Sequence, residues 1–177
     1  MGGGFIMDII IRNETIEDHQ EVFTVNKEAF KQDDESRLIE RIRAGKNFVS
    51  ELSLVAILDE NIVGHILFSK IRILGEQTTE TLSLAPLAVL PTFQKKGIGG
   101  LLIRKGLSVA LGLGFSSVIV LGHSDYYPKF GFRKASEWHI ECPFAAPDEA
   151  FMAIELIEGA LSGSSGTVEF PKEFDGV

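Results

Sequence analysis

Cysteine is almost absent from this chain: Cys142 stands alone in 177 residues. One thiol cannot close an internal disulfide, so a secreted, disulfide-stapled framework is excluded and a cytoplasmic location is the expectation. Cys142 sits directly before Pro143 and has no basic neighbour in sequence, which is not the setting of an activated thiolate. Long apolar runs are missing too. The best candidate, Leu107 to Leu121, is cut by Gly112 and Gly114 and falls short of the ~18–20 residues of a membrane span, so no membrane partner is expected. The opening Met-Gly-Gly-Gly-Phe-Ile has no positively charged stretch and does not read as a signal peptide; residues 1–6 are set aside as a tag or disordered N-terminus.

Histidine is sparse and wrongly spaced for a metal. His19, His65, His123 and His139 form neither an HExxH pair nor a Cys/His ligand set, so no metal is expected. Positive charge is also short: 17 Lys and Arg face 25 Asp and Glu, a net charge of -8. Nucleic-acid binding draws most of its affinity from a basic surface, so that partner is excluded. An acidic surface steers cationic ligands such as amines, though it serves solubility equally well. No Gly-x-Ser-x-Gly elbow exists, because Gly163-Ser164-Ser165-Gly166 has the wrong spacing. What remains is an ordinary globular composition, 45% hydrophobic and 24% charged. Its length suits a single domain, residues 7–177, around one sizeable core.

Apolar periodicity divides the chain into α/β elements. Ile9–Arg12 reads as a first strand. Thr15 reads as a helix N-cap with Asp18 in the capping-box position, and the helix places Val22, Val25, Ala29 and Phe30 on one core-facing side. A second helix, Glu35–Ala44, buries Leu38, Ile39 and Ile42 and closes at Gly45. Leu54–Leu58 and Ile62–Ile73 form a hairpin through Asp59-Glu60-Asn61, with Gly64 marking a bulge. Leu82–Val89 is a buried strand, a helix follows to about Leu113, and Ser117–Leu121 is a strand covered on both faces. These two strands, joined through a helix, should be parallel neighbours. Tyr126–Phe130 forms at most a short helix, Phe151–Ile157 is a returning strand, and Gly159–Val168 is a flexible Gly/Ser turn.

The centre of the chain is Gln94-Lys95-Lys96-Gly97-Ile98-Gly99-Gly100, between the Leu82–Val89 strand and the helix. A glycine-rich turn at a helix N-terminus aims unpartnered N–H groups and the positive end of the helix dipole at one spot, which suits phosphate. The P-loop reading fails because Gly99 is followed by Gly100-Leu101 and not by Lys-Ser/Thr. The dinucleotide reading is weak because Leu102 takes the third glycine's place.

These residues do match Gln/Arg-x-x-Gly-x-Gly/Ala, and Tyr127-Pro128-Lys129-Phe130-Gly131-Phe132 matches Tyr-x-x-x-Gly-Phe. Both motifs, in this order, resemble those of the GNAT family of N-acetyltransferases. The Phe-Met-Ala-Ile-Glu-Leu stretch resembles a bacterial branch of predicted N-acetyltransferases, so the likeness runs from about Ile9 to Phe174. The resemblance implies an α/β (α+β) fold with a mixed, mostly antiparallel, twisted sheet and helices on both faces. It implies acetyl-CoA as cosubstrate, bound at the motif that begins with Gln94, with its pyrophosphate on the N–H groups of Lys95, Lys96, Gly97, Ile98, Gly99 and Gly100 and its pantetheine along the edge of Leu87, Ala88 and Val89.

The activity so implied is acetyl transfer to a primary amine of a small-molecule or peptide acceptor, by direct attack in a ternary complex. The resemblance assigns the oxyanion donor to a main-chain N–H near Val89 or Leu90 and the proton donor to Tyr127, with Tyr126 as the alternative. The general base stays open. Ser83 and Leu84 stand where some members carry a glutamate, and Glu28, Glu35 and His123 are the other candidates. A homodimer through the C-terminal strands is an arrangement the resemblance allows. The competing function is a non-catalytic acyl-CoA-binding or sensing module.

Overall fold

The computed structural model describes residues 8–176, so the expected tag at residues 1–6 lies outside the described part. In chain order the elements are β1 (Ile10–Asn13), α1 (His19–Phe30), α2 (Asp34–Ala44), β2 (Phe48–Leu58), β3 (Asn61–Leu74), β4 (Thr78–Val89), α3 (Ile98–Gly112), β5 (Ser117–Leu121), β6 (Arg133–Lys134), β7 (Ile140–Glu141), β8 (Phe151–Glu155) and β9 (Gly166–Glu169). The sheet runs β1-β2-β3-β4-β5-β8-β6, with β9 joining β3 and β7. Among the described residues the β4–β5 and β7–β9 pairs are parallel and the others antiparallel.

Side-chain alternation sorts the core onto two faces. Leu52, Leu54 and Ala56 of β2 meet Ile98, Leu102 and Ile103 of α3. Val55 points the other way and packs with Val22 and Val25 of α1 and Leu38, Ile39 and Ile42 of α2. Helix α3 lies close to its face because Gly106 has no side chain. A Cβ there would fall 2.2 Å from Cε2 of the buried Phe68.

The α1–α2 face also holds a buried polar chain. Arg43 Nε donates to Glu14 Oε1 at 3.1 Å, and Ser53 Oγ donates to the same oxygen at 3.2 Å. His65 Nε2 lies 3.0 Å from Ser53 Oγ and its Nδ1 lies 3.3 Å from Asn26 Nδ2. An amide nitrogen can only donate, so Nδ1 accepts and the ring proton sits on Nε2. Burial, with Arg43 nearby, lowers the His65 pKa to about 3, so the ring is neutral.

Three expectations need correction. The segment Gly159–Val168 is not turn throughout: its end enters β9, where Ile73 pairs with Val168 and Arg72 with Glu169. Strand β2 begins at Phe48, well before Leu54, with a register break between Phe48 and Ser53. Phe30 is not on the core stripe, for it is 37% exposed. The expected bulge near Gly64 is present, since Ala56 faces Gly64 while Ile57 faces Ile62.

Candidate active site

Strand β4 shifts its register against β3 midway. Ile66 faces Leu87 while Phe68 faces Leu84, so Ala85 and Pro86, joined by a cis peptide bond, together oppose Leu67. This bulge reverses which residues point to which face. Leu82 and Leu84 face α3 before it, whereas Leu87 and Val89 face α3 after it and Ala88 turns to the α1–α2 core. Pairing with β5 stops at Leu82–Val118 and Ser83–Ile119, leaving the second half of β4 an open edge.

That edge has defined polarity. The Leu90 N–H donates to the Val63 carbonyl at 2.9 Å beside the Gly64–Val89 pair. Gly64 and Val89 are therefore a non-hydrogen-bonded pair, and the N–H and C=O groups of Val89 and Leu87 turn away from β3 toward the opening. Of the two expected oxyanion donors, Leu90 is thus already engaged. The Val89 carbonyl accepts from Gln94 Nε2 at 3.0 Å, which ties the glycine turn to the strand end.

The turn uses two left-handed residues, Lys95 at φ 63° and Gly97 at φ 86°. The Gly97 conformation favours a residue without a Cβ, and nothing beyond its chain neighbours lies within 4 Å of where one would stand. The first α-helical bond of α3 runs from Leu101 N–H to the Gly97 carbonyl at 3.1 Å. The N–H groups of Ile98, Gly99 and Gly100 therefore lack helical acceptors and face the space above the turn.

A cavity of about 950 Å³ joins this turn, the open edge of β4 and the Tyr-x-x-x-Gly-Phe segment. Leu87, Val89, Gln94, Lys95, Gly97, Ile98, Gly99, Gly100 and Tyr127 line it. Ala88 and Lys96 do not: Ala88 is 1% exposed in the α1–α2 core, and the Lys96 ammonium lies over the Phe93 ring. Of the candidate bases, Glu35 and His123 line the cavity, while Glu28 is exposed outside it and Ser83 is buried outside it.

Tyr127 is fixed on several sides. Its ring lies against the backbone of Gly122, where a Cβ would come within 2.4 Å of Cε2. The rings of Tyr126 and Phe132 meet it edge-on at 5.2 and 5.6 Å. Burial pushes the phenol pKa well above its ordinary value, and the neighbouring Tyr126 adds to the rise. Tyr126 reaches the other way, its hydroxyl 2.6 Å from where a Cβ on Gly99 would be.

Sequence reasoning passed over Arg104, whose guanidinium stacks on the Phe130 ring beside Gly100. Its position four residues beyond Gly100, on the same helix face, was the available signal. Among the described residues no cluster of three or more His, Cys, Asp or Glu is arranged to hold a metal ion, and no helix is long and apolar enough to cross a membrane.

The model of the acetyltransferase (GNAT) family matches residues 12–132. The N-acetyltransferase YhbS of Escherichia coli K12 is 30% identical over 168 residues, covering 94% of this chain and 99% of that protein. YjhQ of the same organism, also an N-acetyltransferase by name, is 36% identical over 134 residues, 75% of this chain and 74% of its own. Among solved structures, E. coli YhbS in complex with CoA superposes with a TM-score of 0.89 at 28% identity, covering 96% of this chain and 93% of that one. A GNAT acetyltransferase from Brucella melitensis in complex with acetyl-CoA gives a TM-score of 0.78 at 31% identity, over 94% and 98% of the two chains. Two motifs on one cavity, a family match over most of the chain and a relative alike over nearly its whole length agree: the chain belongs to the acetyltransferase (GNAT) family.

Proposed function

We propose that residues 7–177 form a single N-acetyltransferase domain that transfers the acetyl group of acetyl-CoA to a primary amine by direct attack in a ternary complex. The observation that carries this reading is the cavity itself, which brings a phosphate-suited helix terminus, a free strand edge and a buried phenol to one space. The structures of relatives with CoA and acetyl-CoA support the same donor here. The residues fit it: Gly97 leaves room above the turn, and the N–H groups of Ile98 to Gly100 are available to a pyrophosphate. Arg104 and the Tyr126 hydroxyl flank that spot. The β4 edge at Leu87 and Val89 takes the pantetheine as an added strand would be taken.

Acetyl-CoA supplies an activated thioester, and the protein supplies the polar groups around it. The amine nitrogen bonds to the carbonyl carbon as the carbon–sulfur bond breaks. The Val89 N–H faces the carbonyl oxygen as negative charge develops there. The Tyr127 hydroxyl donates to the departing sulfur. A phenol this buried is a weaker acid than a thiol, so it stabilises the thiolate as a donor while the attacking nitrogen sheds the proton that restores neutrality. Glu35 and His123, which line the same cavity, are the side chains we assign to receive that proton.

Calorimetric titration with acetyl-CoA and CoA, followed by thiol-release assays over an amine panel, tests this. Gly97→Glu should abolish cofactor binding. Gly97→Asn, a residue tolerated at positive φ, controls for backbone strain and should retain most of it. Tyr127→Phe should bind acetyl-CoA as wild type does and lose about 10²-fold or more in kcat. Wild-type protein that binds neither acetyl-CoA nor CoA would overturn the reading.

A further inference from the structure

The cations of the cavity all lie on one side of it. Its cations, Lys95, Arg104 and Lys129, come from the glycine turn, from α3 and from the segment after β5. None of the three forms an ion pair with a carboxylate among the described residues; Arg104 and Lys129 rest on the rings of Phe130 and Tyr126. Beyond the β4–β5 opening, on the α1–α2 side, the lining is Phe30, Leu38 and one charged group, Glu35.

Glu35 differs from its neighbour at the same corner. Asp33 is offset by Lys27 at 3.5 Å and Arg37 at 3.6 Å. Glu35 has no cationic partner among the described residues; Gln32 Nε2 donates to its two oxygens at 2.7 and 3.1 Å. An amide donor fixes the carboxylate's direction without cancelling its charge. Asp125, also without an ion pair among the described residues, lies in the segment after β5 with Lys129 and so offsets the cations on that side. Next to Glu35, Phe30 presents a large ring to the cavity at 37% exposure, with the buried Leu38 behind it.

We infer that the acceptor is a cationic amine carried on an apolar, ring-sized body and bearing no carboxylate beside the amine. The inference rests on the acetyl-transfer reading above. Glu35 attracts the ammonium form, and Phe30 with Leu38 receives the apolar body. A carboxylate on the acceptor would meet the uncompensated charge of Glu35, and like charges brought together discriminate by repulsion. A short amine would leave the Phe30 surface uncovered and forgo that burial.

The test compares kcat/KM, with acetyl-CoA as donor, for 2-phenylethylamine against ethylamine and for L-phenylalaninamide against L-phenylalanine. The first pair differs in the ring and the second in the charge. Wild-type enzyme should favour the first member of each pair by about tenfold or more. Glu35→Gln should shrink the phenylalaninamide/phenylalanine ratio about fivefold, any loss of rate common to both substrates cancelling in the ratio, and leave the ring preference intact. Phe30→Ala should shrink the phenylethylamine/ethylamine ratio and leave the charge preference intact. Equal use of both members of either pair, ratios unmoved by these variants, or no turnover of 2-phenylethylamine by protein that binds acetyl-CoA would each overturn the inference while leaving the donor site standing. Protein that fails to bind acetyl-CoA removes the underlying reading as well.

Discussion

Replacing His65 by Gln should remove a specific part of the chain's acid sensitivity. In the native protein His65 is fully buried, its Nε2–H is directed at Ser53 and its Nδ1 accepts from Asn26. Glu14 Oε2, 3.9 Å from Nε2, would favour an imidazolium, but Arg43 already neutralises that carboxylate and burial decides. The folded pKa is lowered to about 3 from the ordinary 6.5. A histidine held neutral in the fold contributes stability that is fully present above pH 6.5 and is lost as the unfolded chain takes up a proton below it. Linkage between these two pKa values puts the loss at about 2 kcal/mol between pH 7.5 and pH 5. Asp18, whose pKa is lowered to about 2 from 3.8, is silent in that window. The measurement is the unfolding free energy by urea titration at the two pH values, for wild type and His65→Gln. Glutamine keeps a donor toward Ser53, so the variant should fold, and only the pH-dependent difference is read. Wild type should lose about 2 kcal/mol more than the variant across the window. Equal losses would refute the reasoning, for His65 would then titrate alike in both states.

Two further outcomes follow from packing and charge. Gly106→Ala should destabilise by about 3 kcal/mol, because its Cβ would stand 2.2 Å from the buried Phe68 ring and α3 must lift; a lower urea midpoint at unchanged slope checks it. Asp18→Asn should cost about 1 kcal/mol at pH 7, a modest figure because Arg12 is 43% exposed, and the difference from wild type should shrink as pH falls below 3.8 and be mostly gone at pH 2. Thermal melts at both ends of that range read it, and a deficit that persists at pH 2 would count against the Arg12 contact as its source.

The parts of this fold that were legible in the sequence are those written in neighbouring residues. The turn between β4 and α3 needs Gly97 at positive φ and small residues at positions 99 and 100, and glycine stands at each. The polar chain of Glu14, Asn26, Arg43, Ser53 and His65 left no such trace, because its members meet only once four elements have packed. Phe30 misled for a related reason. Its spacing is that of a core residue, yet it is the last residue of α1 and lines the cavity. Strand β9 was hidden because it opens on Gly166 at the end of the Gly163-Ser164-Ser165 run, which reads as a turn; pairing with β3 and with β7 supplies what the local sequence does not.

The bulge at Ala85–Pro86 explains how one strand can serve both the core and the site. Without the extra residue, alternation along β4 would carry Leu82 and Leu84 on to Pro86 and Ala88 on the α3 face, with Leu87 and Val89 turned to the α1–α2 side. With it, the small Ala88 turns to the α1–α2 core opposite His65, and the larger Leu87 and Val89 pack beneath α3. That packing seats the first turn of α3 over the strand end, where Gln94 ties turn to strand. Because β5 pairs with β4 only before the bulge, the backbone groups of Leu87 and the Val89 N–H remain open on the side where Tyr127 stands. Deleting Ala85 should therefore do more than shorten a strand: it would return Val89 to the wrong face and separate the glycine turn from the open edge that it now adjoins.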